Sequence, residues 1–178
     1  MTEKNKNIIN LIGDIDDDFF RKLAVGISEA NQKKDLEIVL MSDGGSVSVA
    51  RGAYDLIRTF ESNVYIKCFG EVSSSATLVL QAADFRIMYP NAKLMIHVGE
   101  NGGGGSGHPR NDERLQEQNK IDETWMEDIY LKKIREKKPR FTRKKIKDML
   151  EYDTYLNPKE SLEFGLIDEI GVVKWWSV

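Results

Sequence analysis

The stretch Val64-Tyr-Ile-Lys-Cys-Phe-Gly-Glu-Val-Ser-Ser-Ser75 decides the fold prediction, because in it an apolar strand runs directly into a glycine and three serines. Residues 64–69 are rich in β-forming side chains, which indicates a buried strand that ends at a turn at Gly70. The apolar run over residues 73–83 then predicts a short helix. A strand that leads through a tight turn into a helix is typical of α/β proteins.

The chain around this stretch repeats the same alternation. Apolar runs predict strands over residues 7–12 and 36–41, and helical spacing of apolar residues predicts helices over residues 18–31 and 47–61. Two further strand pieces, residues 85–88 and 93–97, follow the serine-rich helix. This order predicts an α/β fold with a parallel-type sheet.

The second half of the chain begins with a glycine-rich stretch, residues 99–107, which contains six glycines in nine residues. A long charged helix is predicted over residues 112–137, and its sparse apolar positions suit a helix that projects from the body to meet another subunit. Further helices are predicted over residues 141–150 and up to Gly165. We expect one domain over residues 1–178, with a handle region at about 99–140.

Composition excludes several function classes. The net charge of −3 speaks against a nucleic-acid binder, and the basic run over residues 132–147 is typical of a solvated helical face. The single cysteine, Cys68, permits no disulfide within the chain. The polar N-terminus lacks the apolar core of a signal peptide, and no apolar run reaches the length of a membrane span, so we expect a cytoplasmic protein with no membrane partner.

Two histidines limit where acid–base chemistry can occur. His97 ends a predicted strand, which is where binding and catalytic groups concentrate in α/β sheets. His108 lies in the glycine-rich stretch with no neighbour that would fix its tautomer. The pattern alone leaves His97 equally well explained as an ordinary hydrogen-bonded histidine. One cysteine and two poorly spaced histidines do not predict a metal site.

The serines at the predicted strand–helix corner have two interpretations. A serine there can expose its hydroxyl while the next backbone N–H points outward, which serves a nucleophile and a developing oxyanion together. Helix capping explains a serine at this position more often. The local pattern does not choose among Ser73, Ser74 and Ser75. Gly44-Gly45 is similarly either a simple turn or a backbone segment that approaches a substrate closely.

Four segments in order resemble the Clp protease proteolytic subunit family, ClpP, over about residues 8–170. Ser42-Asp-Gly-Gly-Ser-Val47 is similar to the family's Ser-Pro-Gly-Gly-Ser-Val, and Gly70-Glu-Val-Ser-Ser74 to its Gly-x-Ala-Ala-Ser. Pro90-Asn-Ala-Lys-Leu-Met-Ile-His97 resembles the segment that ends in the catalytic histidine, and Tyr152-Asp153 followed by Phe164-Gly-Leu-Ile-Asp168 resembles the segment with the catalytic aspartate. Asp43 stands where the family has proline, and Thr77 makes the helix after the nucleophile more polar.

The resemblance implies a ClpP/crotonase-type α/β fold of repeated β-β-α units with a projecting handle helix. It implies a serine endopeptidase in which Ser74 is the nucleophile, His97 the general base and Asp153 the residue that orients the base. The backbone N–H groups of Gly45 and Ser75 would form the oxyanion hole. The residues expected to border the substrate are Gly44, Ser46, Val47 and Val98. No cofactor and no metal are expected.

The resemblance also implies partners. The substrate would be a peptide or an unfolded polypeptide, cleaved inside a homo-oligomeric chamber of stacked rings with heptameric symmetry. The family's N-terminal pore segment is largely missing before the first predicted strand, so partnership with an ATP-driven AAA+ unfoldase is left open.

Three other functions remain open. The first is a catalytically silent scaffold or regulatory subunit. The presence of all three triad residue types argues against it. A membrane-protein or signal-peptide peptidase of the same superfamily would use a Ser–Lys pair, which His97 in its Met-Ile-His setting disfavours. A crotonase-type acyl-CoA enzyme needs the two oxyanion N–H groups but no Ser-His-Asp set.

Overall fold

A computed structural model describes residues 7–99 and 109–172, except for the side chains of residues 109–112. The strands are β1 Asn7–Ile12, β2 Leu36–Ser42, β3 Val64–Ser73, β4 Phe85–Met88, β5 Lys93–Ile96, β6 Thr154–Leu156 and β7 Glu169–Ile170. The helices are α1 Asp17–Glu29, α2 Val47–Arg58, α3 Ser75–Leu80, α4 Pro109–Lys137, α5 Arg143–Leu150 and α6 Pro158–Phe164. The glycine-rich stretch from residue 100 and His108 lie outside the described residues.

The strands form one sheet in the order β1-β2-β3-β4-β7, and all neighbours on this path are parallel. Strand β5 pairs in parallel with the second half of β3, and β6 pairs antiparallel with β5. The prediction of an α/β fold with a parallel sheet is confirmed. The antiparallel β5–β6 pair was not predicted, since a three-residue strand leaves little periodic signal in a sequence.

Strand β3 is longer than its sequence predicted. We expected it to end at Phe69, yet it continues through Gly70 to Ser73. Gly70 has φ +55°, a backbone conformation in which glycine carries no steric penalty, so the strand can bend there without ending. Its first half pairs with β4 and its second half with β5. One strand therefore aligns two others and delivers its end to the start of α3.

The first two helices are confirmed, although α1 ends two residues and α2 three residues before the predicted ends. Asp16 and Ser46 occupy their N-cap positions and accept hydrogen bonds from backbone N–H groups in the first turn. Each helix buries one stripe of apolar side chains in a core of closely packed residues. The buried residues are Phe19, Leu23 and Ile27 in α1, and Ala50, Ala53 and Ile57 in α2.

Helix α4 begins at Pro109, three residues earlier than predicted, and runs for 29 residues. Residues 113–118 are exposed, which agrees with the predicted projecting handle helix. Its second half packs on the body through four buried hydrophobic side chains, Met126, Tyr130, Leu131 and Ile134. Within residues 7–99 and 109–172, no helix is long and apolar enough to span a bilayer.

A buried ion pair fixes β7 and the turn before it to the edge of the sheet. Arg86 in β4 is 2% exposed, and its guanidinium donates from Nε and Nη2 to the two carboxylate oxygens of Asp168 at 2.8 Å each. Nη1 of Arg86 also donates to the backbone oxygen of Gly165 at 3.0 Å. Burial acts to raise the pKa of Asp168, but the hydrogen bonds and charge of Arg86 outweigh it and hold that pKa below its ordinary value.

Asp168→Asn is expected to destabilise the protein by about 3–5 kcal/mol, because the buried Arg86 guanidinium then has no carboxylate partner. The effect depends on pH. Since the pKa of Asp168 is lowered by folding, its stabilisation is present above the unfolded value of about 4 and is lost as the pH falls through the folded pKa. Urea unfolding at about pH 7 and about pH 3 measures both parts of this expectation.

The matched control is Glu163→Gln, which removes the exposed carboxylate that accepts from Lys138. We expect no measurable loss from this control, since exposed ion pairs are screened by water. Equal stability of the wild type and Asp168→Asn near neutral pH would contradict the role given to the buried pair.

Candidate active site

Ser74 occupies the corner between β3 and α3. Its φ is +54°, and among the described residues it is the one non-glycine residue with a positive φ. Such a conformation costs on the order of 1–3 kcal/mol and persists only where the surroundings impose it. Here the backbone N–H of Ser74 donates to the backbone oxygen of Met95 in β5 at 2.7 Å. The neighbouring strand thus holds Ser74 in its strained geometry.

The structure separates the three serines that the sequence left undecided. The Ser73 hydroxyl donates to Glu71, and the Ser75 hydroxyl donates to the backbone oxygen of Gly45 at 3.1 Å. Ser74 sits at the N-cap position of α3, but its side chain makes no capping hydrogen bond. Its hydroxyl instead points away from the helix, so the capping interpretation is wrong for Ser74.

The hydroxyl of Ser74 belongs to a row of three hydrogen-bonded side chains. Ser74 Oγ lies 2.8 Å from Nε2 of His97, and Nδ1 of His97 lies 2.7 Å from Oδ1 of Asp153. A carboxylate can only accept, so Nδ1 donates to Asp153 and Nε2 is free to accept from Ser74. The register explains the meeting: Ile96 pairs with Thr154 in the antiparallel β5–β6 ladder, so the next residues, His97 and Asp153, come out side by side.

The Gly44–Gly45 segment packs against Ser74. A Cβ on Gly44 would lie 2.7 Å from the Cβ of Ser74, so only glycine permits this approach. The backbone oxygen of Gly44 accepts from the N–H of Ile15, and the N–H of Ser46 donates to the backbone oxygen of Ile15. In a planar trans peptide the C=O and the N–H point in opposite directions, so the N–H and the C=O of Gly45 both point away from Ile15. That C=O accepts the Ser75 hydroxyl, so the Gly45 N–H faces the Ser74–Ser75 corner.

The two predicted oxyanion donors are both available. Neither the Gly45 N–H nor the Ser75 N–H donates a hydrogen bond to another of the described residues. Ser75 is the first residue of α3, where backbone N–H groups have no partner within the helix. The two N–H groups border the same corner as the hydroxyl of Ser74.

The other predicted substrate-binding residues differ in position. Gly44 adjoins Ser74, and Val98 follows His97 and donates its N–H to the backbone oxygen of Leu150 at 2.9 Å. Ser46 caps α2, accepting from the N–H of Val49, so its side chain already has a structural partner. Val47 is the half-buried first residue of α2. The structure therefore brings Gly44 close to Ser74 and places Ser46 and Val47 at the helix start beyond it.

A cavity of about 940 Å³ lies on the His97–Asp153 side of the site. The side chain of His97 is 23% exposed and that of Asp153 is 58% exposed, so Asp153 is the more solvent-exposed of the two. The residues that α4 and the end of α5 contribute to the cavity wall include four carboxylates and one lysine. The carboxylates are those of Glu123, Glu127, Asp148 and Glu151, and the lysine is Lys147. Within the described residues, no group of three His, Cys, Asp or Glu side chains is placed to hold a metal ion.

Comparison with known proteins identifies the family. The profile of the Clp protease family matches residues 3–174 of the chain. The chain belongs to the Clp protease family.

The relatives of this Clp-family protein are distant in sequence. An ATP-dependent Clp protease proteolytic subunit from Chlorella vulgaris is 27% identical, and the match covers 97% of this chain and 85% of that protein. The same subunit from Mesostigma viride is 26% identical over 93% of this chain and 71% of its own length. A solved structure of a ClpP1 mutant from Listeria monocytogenes has a TM-score of 0.76 at 19% identity, covering 92% of this chain and 90% of that one. This structural likeness confirms the predicted ClpP-type fold.

Two residues behind Ser74 in this Clp-family chain could not be singled out from the sequence. The sequence marks Thr77 only as a polar departure from the family pattern, and it does not distinguish Tyr130 from the other apolar positions of the long helix. In the structure their hydroxyl oxygens lie 2.6 Å apart in the core. The one signal in the sequence is that Thr77 interrupts an otherwise apolar run, Ala76 to Leu80.

Two glycines test how closely the backbone must approach Ser74. Gly44 and Gly13 have nearly the same φ, +108° and +110°, but nothing lies within 4 Å of a Cβ added to Gly13. Gly13→Ala is expected to cost about 1–2 kcal/mol from backbone strain alone. Gly44→Ala should cost clearly more, because its Cβ collides with the Cβ of Ser74. Urea unfolding of both variants measures the difference, and equal losses would contradict the close packing at Ser74.

Proposed function

We propose that this chain is a serine endopeptidase in which Ser74 is the nucleophile, His97 the general base and Asp153 the residue that orients the base. The observation that carries the proposal is the continuous row of hydrogen bonds from Ser74 Oγ through His97 to Asp153. Membership of the Clp protease family supports peptide hydrolysis as the reaction. We further propose that residues 1–178 form one peptidase domain; the predicted cytoplasmic location stays a prediction.

The proposed first step is acylation. Ser74 Oγ attacks the carbonyl carbon of the scissile peptide bond while its proton passes to Nε2 of His97, 2.8 Å away. The carboxylate of Asp153 accepts from Nδ1 of His97, which keeps Nε2 in the accepting tautomer and stabilises the imidazolium that forms. His97 then gives the proton to the leaving amine as the C–N bond breaks. A water molecule, activated in the same way, hydrolyses the acyl-enzyme and restores Ser74.

The proposed oxyanion hole consists of the backbone N–H groups of Gly45 and Ser75. Support comes from their shared orientation toward the Ser74 corner and from their freedom from other hydrogen bonds within the described part of the chain. Each donor of this kind contributes about 2.7–4 kcal/mol to transition-state stabilisation. The N-terminus of α3 adds its positive dipole end at the same point, although the helix has only six residues.

We propose that an extended peptide binds between the strand end at Gly44 and the segment at Val98. A peptide in this cleft would pair with backbone groups, so that hydrogen bonds to the main chain align the scissile bond. Ser46 and Val47 would contact residues farther along the peptide. Peptides or unfolded polypeptides fit such a cleft because they can adopt the extended conformation that pairing needs.

The assembly proposed for this chain is a chamber of stacked homo-oligomeric rings with heptameric symmetry, as the family resemblance implies. The exposed stretch of α4 supports it, since the described part of the chain leaves the side chains of residues 113–118 open to another subunit. Whether an ATP-driven unfoldase feeds the chamber is a separate question from the chemistry of Ser74.

The three alternative functions differ in the site residues that they require. A silent scaffold needs no hydrogen-bonded Ser-His-Asp row, and a crotonase-type acyl-CoA enzyme needs the two oxyanion N–H groups alone. The contacts of His97 with both Ser74 and Asp153 favour hydrolysis over either alternative. A Ser–Lys peptidase is disfavoured because the base position beside Ser74 is occupied by His97.

Labelling with a fluorophosphonate probe tests the nucleophile. We expect the wild-type protein to be labelled at Ser74, and Ser74→Ala and His97→Ala to remain unlabelled, because the probe reacts with a serine whose proton is removed by a neighbouring base. Peptide mapping by mass spectrometry gives the labelled position. The controls are Ser75→Ala, which keeps the backbone N–H of the oxyanion hole, and His108→Ala, which removes the other histidine; both should still be labelled.

Labelling at Ser73 or Ser75, or the absence of labelling in every assembly state, would rule out Ser74 as the nucleophile. Turnover of acyl-CoA thioesters that survives Ser74→Ala would favour the crotonase-type alternative instead.

Native mass spectrometry and peptide hydrolysis test the assembly. We expect a homo-oligomer that hydrolyses a short fluorogenic peptide without added nucleotide, since the proposed chemistry of Ser74 uses no nucleotide. Removing the exposed stretch of the handle helix, residues 113–118, should shift the mass toward smaller species and lower the hydrolysis rate. A monomer with full activity would contradict the proposed chamber.

A further inference from the structure

A pair of buried hydroxyl groups lies directly behind Ser74 and has no part in the proposed acylation. Thr77 in α3 and Tyr130 in α4 are each 1% exposed. Thr77 Oγ1 lies 2.6 Å from the hydroxyl oxygen of Tyr130 and 2.6 Å from the backbone oxygen of Ser74. The three oxygens therefore form a chain that runs from the handle helix to the nucleophile's own backbone.

The donor and the acceptor of each of these two hydrogen bonds follow from the group at the end of the row. The backbone oxygen of Ser74 can only accept, so the single proton of the Thr77 hydroxyl goes to it. Tyr130 must then be the donor to Thr77. Burial raises the pKa of Tyr130 well above its ordinary value, more than the hydrogen bond with Thr77 lowers it, so the phenol keeps the proton that it donates.

The carbonyl that Thr77 holds belongs to the same peptide unit as the proposed oxyanion donor. In a planar trans peptide the C=O of Ser74 and the N–H of Ser75 point in opposite directions. Fixing the carbonyl toward α3 therefore aims the N–H away from the helix, toward the corner where Ser74 Oγ and Gly45 meet. The backbone N–H of Thr77 bonds the same carbonyl at 3.0 Å, so the Thr77 hydroxyl supplies a second restraint on one oxygen.

This restraint acts where the backbone is strained. With φ at +54°, Ser74 occupies a conformation that non-glycine residues leave readily when their surroundings loosen. The N–H of Ser74 is held by Met95 on the side of β5, and its C=O is held by Thr77 on the side of α3. Loss of the hydrogen bond from the Thr77 hydroxyl to the Ser74 carbonyl would let the Ser74–Ser75 peptide rotate.

We propose that Thr77 and Tyr130 are positioning residues that fix the Ser74–Ser75 peptide so that the Ser75 N–H points at the developing oxyanion. The proposal rests on the function proposed above for Ser74. Because the N–H bonds the oxyanion more strongly than the ground-state carbonyl, the effect of this pair falls on the chemical step and little on substrate binding. Tyr130 belongs to the buried half of the handle helix, so the orientation of the catalytic peptide depends on how α4 packs.

Steady-state kinetics with a short fluorogenic peptide test the proposal on the assembled protein. Thr77→Val, which keeps the shape but removes the hydroxyl, is expected to lower kcat by about ten- to a hundredfold with KM changed by less than about twofold. Tyr130→Phe, which keeps the ring, should lower kcat in the same way by roughly three- to tenfold, since Thr77 can still reach the carbonyl. Thr77→Ser restores the hydroxyl and should restore most of kcat.

Crystal structures of the wild type and Thr77→Val provide a readout that does not depend on activity. We expect the Ser74–Ser75 peptide to be rotated in the variant, with the φ of Ser74 moved away from its wild-type value. An unrotated peptide together with a wild-type kcat would overturn the proposal, and so would a change confined to KM. If Thr77→Val does not fold, Tyr130→Phe decides by the same kinetic and structural criteria.

The outcomes separate this inference from the proposed function. If wild-type turnover depends on Ser74 but both hydroxyl deletions leave kcat within about twofold, the inference is wrong and the function stands. If wild-type protein shows no turnover that depends on Ser74, the proposed function is wrong, and an unrotated peptide in the variant crystal removes the positioning role as well.

Discussion

Strand β5 is paired on both sides, and its two backbone ladders set where the three side chains of the candidate site meet. On one side it runs parallel to the end of β3, where the Met95 carbonyl accepts the N–H of Ser74. On the other side it runs antiparallel to β6, and the ladder places His97 next to Asp153. The hydrogen bonds between the side chains are thus consequences of strand register, which is strongly specified where a strand has a buried face.

This dependence on register explains why the local conformations around Ser74 can be strained. A positive φ at a serine and a contact that only glycine permits at Gly44 both oppose folding taken alone. They are tolerated because β3 and α3 are packed in the core, where Val72, Ala76 and Leu78 are fully buried. The stability of the scaffold holds the site in a geometry that an isolated strand–helix turn would not keep.

The sequence was sufficient for the order of strands and helices from β1 to α5, because their periodic apolar patterns are local, but it did not predict the short strands β6 and β7. It was insufficient at β3, where Gly70 looks like a turn but bends a continuing strand, since the partner that keeps the strand going is a distant segment. The choice of Ser74 over its two neighbours came from family resemblance, and the structure adds the reason: the hydroxyls of Ser73 and Ser75 already have partners. The contact between Thr77 and Tyr130 joins residues 53 positions apart, so no local pattern could predict it.

The candidate site has a dry side and a wet side, and the difference assigns distinct physical roles to its hydrogen bonds. Behind Ser74, the hydroxyls of Thr77 and Tyr130 are shielded from water, where a hydrogen bond keeps its geometry and its strength. In front, the Asp153 side chain is 58% exposed, so water screens its interaction with the imidazole of His97. Removal of this water would strengthen the interaction between the two side chains. The fold itself therefore fixes the backbone part of the site, while the contact between Asp153 and His97 stays open to water.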